Sequence, residues 1–175
     1  MTANRNSYSS ASIWIHWLTA VLVVVFFFTH ESERGSLGRT FHVSGGMLIA
    51  WFFLWRIFRR FRNGVAAKPD QSEALNWLSR IVLWGILLAL LVVSVSGLLL
   101  PWSGGRAIDL FGLAIPSPIT GSRSLHEFFE EVHDIAGHAF IPLVALHILG
   151  VIKHVFMDAD KGVALRMAQP DKEGL

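Results

Sequence analysis

The sequence predicts an all-α fold, a bundle of four transmembrane helices that forms a single membrane domain over residues 1–175. Composition is the first reason, because 53% of the residues are hydrophobic and only 16% are charged, which is too apolar for a soluble domain. Length is the second reason, because four apolar runs each approach or exceed the roughly 20 residues that cross a bilayer. We expect helices at about 12–30, 41–61, 73–100 and 124–156.

Each boundary has a local signal. Trp14 and Trp17 begin the first run, where interfacial aromatic residues are common. That run ends in FFFTHESE, which lacks the small-residue cleavage site of a signal peptide. We expect Pro101 to end the third helix, and the connection over 102–124 is long enough to be functional or folded on itself. The fourth helix would be about 50 Å long, with a kink predicted at Pro142.

Basic residues predict the orientation of the bundle. Eleven of the fifteen Lys and Arg residues lie on the side that holds both termini and the connection between the second and third helices. Because basic residues favour the cytoplasmic side, we expect both termini in the cytoplasm and the protein in a bacterial inner membrane. The eleven are Arg5, Arg56, Arg59, Arg60, Arg62, Lys68, Arg80, Lys153, Lys161, Arg166 and Lys172; the other side holds Arg34, Arg39, Arg106 and Arg123.

The chain contains no cysteine. Disulfides, iron–sulfur clusters and covalently attached c-type haem are therefore excluded. The net charge of +2 gives no argument for a nucleic-acid partner.

The fourth helix carries histidines at a regular interval. His126, His133, His147 and His154 are separated by multiples of seven residues, which is nearly two helical turns. His133 and His147 are 14 residues apart, so they lie about 21 Å apart on one face. A helix that supplies one axial ligand to each of two stacked haems needs this arrangement.

Depth in the membrane suggests the partners of these two histidines. Helices that alternate in direction place His16 level with His147 near the inner face, and His42 level with His133 near the outer face. Histidines at such depths are costly without a partner or ligand. The pattern therefore predicts two bis-histidine haem sites, with His30 at the end of the first helix as the rival to His42.

Other residues are weaker candidates for the same sites. Gly45 and Gly46 follow His42 by about one turn, and Gly137 and Gly150 follow the two ligands of the fourth helix; such glycines admit a flat macrocycle or simply pack helices. Arg56 lies 14 residues after His42, so it is either a partner for a propionate of the inner haem or a cytoplasmic anchor.

His154 is either a surface residue beside Lys153 or a proton donor at a quinone site. We expect His126 and His138 to serve in a helix extension and in packing or hydrogen bonding, respectively.

The sequence resembles the prokaryotic cytochrome b561 family over nearly its whole length. The matching segments are SIWIHW, FHVSGG, VSGLLL with Gly97, and the stretch from EVHD through VALH to KHV, followed by ALRM. The resemblance implies a four-helix protein with two b-type haems held by His16, His42, His133 and His147, and a quinone near His154. Val132 stands where the family has tryptophan, and Val155 stands where it has a second histidine.

That family includes superoxide:ubiquinone oxidoreductases. The resemblance therefore implies an oxidoreductase that oxidises superoxide at the outer face and reduces ubiquinone to ubiquinol. Two imidazoles fill both axial positions of an iron, which favours electron transfer over oxygen binding. The outer arginines either steer an anion or form an ordinary loop surface.

Two alternatives remain at this point. One is a haem b membrane anchor that relays electrons between quinone and a soluble dehydrogenase or hydrogenase, with the apolar patch around Phe111 as its docking site. The other is a structural or transport protein whose histidines bind no haem.

Overall fold

The computed structural model describes residues 10–63 and 72–156. Within these ranges, four helical segments are long and apolar enough to cross a membrane: Ser10–Thr29, Leu37–Arg62, Glu73–Ser103 and Arg123–Phe156. The fold is therefore mostly helical, as predicted, and the chain is a multi-pass membrane protein. Arg5, Lys68, Lys161, Arg166, Lys172 and the ALRM segment lie outside the described residues.

The elements follow one another along the chain as helices with one short hairpin. They are α1 (Ser10–Thr29), α2 (Leu37–Thr40), a π-helical turn π1 (Phe41–Gly45), α3 (Gly46–Asn63), α4 (Glu73–Ser103), β1 (Ile108–Leu110), β2 (Leu113–Ile115) and α5 (Arg123–Phe156). We call the end of the bundle that holds β1 and β2 the hairpin end. The opposite end, which holds Arg56, Arg59, Arg60 and Arg62, is the basic end.

The second span begins earlier than the expected residue 41, at Leu37. Ser36 caps this start, because its hydroxyl oxygen accepts a hydrogen bond from the backbone N–H of Arg39 at 3.2 Å. The apolar run alone did not include this turn, since it contains Gly38 and Arg39. The helix then passes through the π-helical turn before it becomes α3.

The third span ends later than expected. Pro101 lies inside α4, which continues to Ser103. Proline removes one backbone donor but leaves the following turn intact. The Ser103 hydroxyl donates to the Leu100 carbonyl at 2.7 Å, and the Gly105 N–H donates to the Trp102 carbonyl at 2.8 Å. These bonds satisfy carbonyls at the end of the helix.

The connection after α4 folds into an antiparallel hairpin that the all-helical expectation lacked. Ile108 pairs with Ile115, and Leu110 pairs with Leu113. The two turn residues, Phe111 and Gly112, have φ values of 53° and 93°, as a two-residue hairpin turn of the primed type requires. The Ser44 hydroxyl donates to the Asp109 carbonyl at 2.5 Å, so the hairpin rests on π1.

The hydrophobic core lies between the middle parts of α3 and α4. Phe53 and Ile57 of α3 pack with Leu87 and Leu90 of α4, and all four are buried. α5 packs along α4 with Gly85 at a close approach, where an added Cβ would lie 3.0 Å from a methyl group of Leu143. Phe140 of α5 also packs against this core, so α3, α4 and α5 are held together in the middle of the bundle.

Candidate functional site

The structure brings four of the predicted histidines together as two pairs at different levels of the bundle. The rings of His16 on α1 and His147 on α5 have centroids 6.2 Å apart, with planes at 71°. The rings of His42 on π1 and His133 on α5 have centroids 6.3 Å apart, with planes at 89°. The first pair lies toward the basic end and the second toward the hairpin end.

This ring spacing fits a metal ion between two imidazoles. An imidazole nitrogen binds a transition metal such as zinc at about 2.0–2.1 Å, and two such bonds on opposite sides place the ring centroids about 6 Å apart. Among the described residues, no group of three or more His, Asp or Glu side chains is arranged to hold a metal ion. A porphyrin supplies four nitrogens of its own, so it needs only the two ligands that each pair offers.

At the hairpin end, both rings are oriented by hydrogen bonds from Nδ1. The Nδ1–H of His42 donates to the Phe26 carbonyl at 3.1 Å. The Ser96 hydroxyl donates to the Val92 carbonyl at 2.6 Å, so its oxygen is left to accept from His133 Nδ1–H at 3.1 Å. Each ring therefore keeps an unprotonated Nε2, which is the state that binds a metal.

The backbone around His42 explains its position. A π-helical turn widens the helix by one residue, and such turns are frequent at functional sites. Here the turn places His42 beside α1, where its ring also meets the Phe26 ring edge-on with centroids 5.5 Å apart. Hydrophobic periodicity gives no signal for this shift of the hydrogen-bond register.

At the basic end, Arg56 reaches the histidine pair. Its guanidinium donates to Nδ1 of His16 at 3.1 Å. Two other arginines of α3 lie instead over aromatic rings, with Arg59 5.1 Å from the Trp55 centroid and Arg62 5.8 Å from the Phe58 centroid. Arg56 is thus placed at the pair, while the contacts of the other two are those of interfacial anchors.

Gly97 on α4 makes the closest approach to a predicted ligand. A Cβ at this position would lie 2.9 Å from Cε1 of His133. In the sequence, Ser96 and Gly97 stand out only as members of the family segment VSGLLL, which assigns neither of them a contact with His133. Neither residue has a distinctive spacing from His133, because they lie on a different helix.

The predicted glycines differ in their surroundings. A Cβ on Gly45 or Gly46 would lie 3.7 Å from the Phe26 ring, so protein already packs against both. A Cβ on Gly137 or Gly150 would meet no atom of the described chain within 4 Å. The α5 glycines therefore border open space near their histidines, whereas Gly46 takes part in helix packing.

The remaining histidines lie apart from these two pairs. His30 faces His138 rather than His133, with centroids 6.4 Å apart. His126 Nδ1–H donates to the Leu100 carbonyl at 3.1 Å, which ties the start of α5 to the end of α4. His154 is half-buried in the last turn of α5, next to residues that the structure does not describe.

Comparison with known proteins gives two matches. A probable superoxide oxidase, CybB, of Yersinia pestis is 26% identical over 178 residues, which cover 97% of this chain and 99% of the relative. The family model described as prokaryotic cytochrome b561 matches residues 7–169. The match covers nearly the whole chain and includes all four paired histidines, and the chain therefore belongs to the prokaryotic cytochrome b561 family.

Proposed function

We propose that this membrane electron-transfer protein holds two b-type haems, one between His16 and His147 and one between His42 and His133. The observation that carries the proposal is the nearly equal ring spacing of the two pairs, 6.2 and 6.3 Å, at levels about 21 Å apart along α5. A bound haem supplies a one-electron carrier at each level. The protein's contribution is to hold the rings, exclude water and set the local charge.

We infer different roles for the hydrogen bonds at the two levels. His42 and His133 already have the tautomer that leaves Nε2 free. His16 instead accepts from Arg56, which has only donors, so a neutral ring would carry its proton on Nε2. Binding a metal through Nε2 requires the proton to move to Nδ1, and the guanidinium then becomes available to a carboxylate such as a haem propionate.

We propose that electrons enter from superoxide at the hairpin end and leave to ubiquinone at the basic end. Two superoxide ions give two molecules of oxygen and two electrons, and ubiquinone takes up the two electrons with two protons to form ubiquinol. The name of the Yersinia pestis relative supports superoxide as the donor. In this proposal both termini are cytoplasmic and the membrane is the bacterial inner membrane.

Each end of the bundle carries residues that suit its proposed role as the entry or exit site for electrons. At the hairpin end, Arg39 donates to the His30 carbonyl at 3.2 Å and Arg123 pairs with Glu127 at 2.7 Å. Arg34 and Arg106 are exposed at the same end. At the basic end, His154 follows His147 by seven residues, so it is placed to serve a quinone beyond the second haem.

A second candidate function is supported by the hairpin. Phe111 is 57% exposed at the turn, although its φ of 53° disfavours a bulky residue. An exposed aromatic ring at the tip of a hairpin suits a docking contact. In this alternative the chain anchors a soluble dehydrogenase or hydrogenase and passes its electrons to quinone.

The decisive experiment mixes the purified, haem-replete protein with superoxide and a ubiquinone analogue and follows the haem spectrum and quinol formation. Rapid haem reduction by superoxide, followed by reoxidation by quinone, is expected. Haems that stay oxidised in superoxide would rule out this donor and favour the anchor. A preparation with no b-type α-band would leave the haem-free alternative.

The ligand assignment is tested by haem content. His42→Ala is expected to remove one haem of two, whereas His30→Ala is expected to keep both, because His30 faces His138. The reverse result would exchange the two assignments.

A further inference from the structure

A third histidine pair lies at the hairpin end, outside both proposed haem sites. His30 at the end of α1 and His138 on α5 line a cavity of about 290 Å³, together with Phe27, Phe28, Glu31 and Ile141. The ring centroids are 6.4 Å apart and the planes meet at 84°. This spacing is close to that of the two other pairs. Two Zn–N bonds at a tetrahedral angle place the ring centroids about 5 Å apart, so the two rings must approach each other by about 1 Å to share one ion.

The surroundings of this pair differ from those of a haem site. The side chains of His30 and His138 are 34% and 61% exposed, so water reaches both. Glu31 lines the cavity, and the carboxylate of Asp134 lies beside His138. A small hydrated cation suits such a site, whereas a macrocycle needs a deep apolar slot.

Both rings are hydrogen-bonded through Nδ1. The Nδ1–H of His30 donates to the Phe27 carbonyl, and that of His138 donates to the Asp134 carbonyl at 2.9 Å. An Oδ1 of Asp134 lies 3.3 Å from the same nitrogen of His138. Hydrogen bonds from Nδ1 to carbonyls and carboxylates fix the tautomer that leaves Nε2 for a metal.

The charges around the pair favour a cation. The carboxylate of Glu31 has Oε1 3.8 Å from Nε2 of His30, and its side chain is 86% exposed and therefore free to rotate. Arg39 is the opposing charge, and its guanidinium donates to the His30 carbonyl at 3.2 Å. Two carboxylates against one guanidinium leave a net negative charge beside the imidazoles.

We propose that His30 and His138 bind a divalent transition-metal cation of the Zn²⁺ class, with Glu31 and water completing its coordination. No set of three such donors is prearranged in the described ranges, so the carboxylate joins only by rotating. Imidazole ligands select Zn²⁺, Ni²⁺ or Cu²⁺ over the hard cations Mg²⁺ and Ca²⁺, which prefer oxygen. The bound ion links the end of α1 to α5.

The test titrates untagged, haem-replete protein with Zn²⁺ by isothermal calorimetry. One Zn²⁺ per chain is expected, and His30→Gln or His138→Gln is expected to weaken binding at least tenfold while both haems are retained. Mg²⁺ at the same concentration should give no heat. His126→Gln is the matched control, since His126 lies at the same end of the bundle but away from the cavity, and it should bind Zn²⁺ like the wild type.

A second measurement does not depend on variants. X-ray absorption at the zinc edge is expected to show two imidazole ligands in the wild-type complex. One imidazole or none would overturn the proposal. In the calorimetric titration, unchanged Zn²⁺ affinity in either cavity variant, or an equal loss of affinity in His126→Gln, would also overturn it. Neither result depends on the identity of the electron donor or acceptor.

Discussion

Gly97 directly limits the position of the His133 ring, because it has no side chain and the ring lies close to it. Because an added Cβ would lie 2.9 Å from Cε1 of the ring, Gly97→Ala must displace a ring that Ser96 holds at 3.1 Å. We expect this variant to lose most of the haem at the hairpin end and to keep the one at the basic end. Haem content per chain, measured as the pyridine complex, should fall from about two toward one.

Gly85→Ala is the matched control on the same helix. Its Cβ would also be close to a neighbour, at 3.0 Å, but that neighbour is the flexible end of Leu143. We expect Gly85→Ala to retain both haems. Full haem content in Gly97→Ala would show that His133 does not need its present position.

Arg56 places a positive charge beside the basic-end pair. A nearby cation favours the reduced form of an iron centre, because reduction removes one positive charge. Arg56→Gln should therefore lower the reduction potential of one haem. A unit charge at close range changes the free energy of one-electron reduction by on the order of 1 kcal/mol. A spectroscopic redox titration measures this shift.

Arg62→Gln controls for the general loss of positive charge from α3. Arg62 lies over the Phe58 ring and not at a histidine, so its removal should leave both potentials nearly unchanged. Equal shifts in the two variants would mean that Arg56 acts only through the net charge of the basic end.

At the scale of elements, π1 and the hairpin act as one unit. Ser44 is 1% exposed and its hydroxyl donates to the Asp109 carbonyl of β1. His42 belongs to the same turn, so a contact from β1 supports the element that carries a proposed ligand. The hairpin is thus part of the support of the site as well as a covering loop.

Ser44→Ala should weaken that support. Removing the donor breaks a part-buried hydrogen bond, which typically contributes about 0.5–1.5 kcal/mol of stability. We expect a lower midpoint of thermal unfolding and faster loss of haem from the hairpin-end pair. Following the haem absorbance during heating measures both effects.

Ser94→Ala is the matched control on α4. Ser94 is 5% exposed, and its hydroxyl has no hydrogen-bond partner among the described residues. Removing an unsatisfied buried hydroxyl should be neutral or stabilising. If Ser44→Ala unfolds no earlier than Ser94→Ala, the bond to the hairpin contributes nothing.

At the scale of the whole molecule, the proposed electron path across the membrane uses both histidine pairs. His16→Ala should leave the hairpin-end haem reducible while electrons no longer cross. We expect proteoliposomes of this variant to show partial haem reduction by external superoxide but no reduction of an acceptor trapped inside. His30→Gln vesicles should transfer electrons like the wild type, and transfer by His16→Ala would require a route that bypasses the basic-end pair.

Hydrophobic length and residue spacing were sufficient to predict four membrane spans and their order. Depth matching also placed His16 with His147 and His42 with His133, and these rings are neighbours in the structure. Their role as haem ligands stays a prediction. Depth works here because a helix fixes the rise per residue, so chain position becomes height in the membrane.

Features that depend on lateral contacts or local hydrogen bonds were missed. His30 and His138 face each other because of the rotation of α1 and α5 about their own axes. Depth in the membrane does not determine this rotation. The π-helical turn and the hairpin depend on hydrogen-bond register, and neither has an apolar period long enough to detect. The bond from Arg56 to His16 joins residues 40 positions apart on different helices.

A single helix, α5, carries one ring of each pair, while the other two rings belong to separate elements. Its 34 residues span about 51 Å, which exceeds the roughly 30 Å of hydrocarbon. Thinner or thicker lipid is accommodated in part by tilt, and tilting α5 as one body, with any bend at Pro142 unchanged, does not change the distance between two points on it. Tilt therefore leaves unchanged the gap that an electron would tunnel between the two proposed haems, while it changes their distances from the two aqueous compartments.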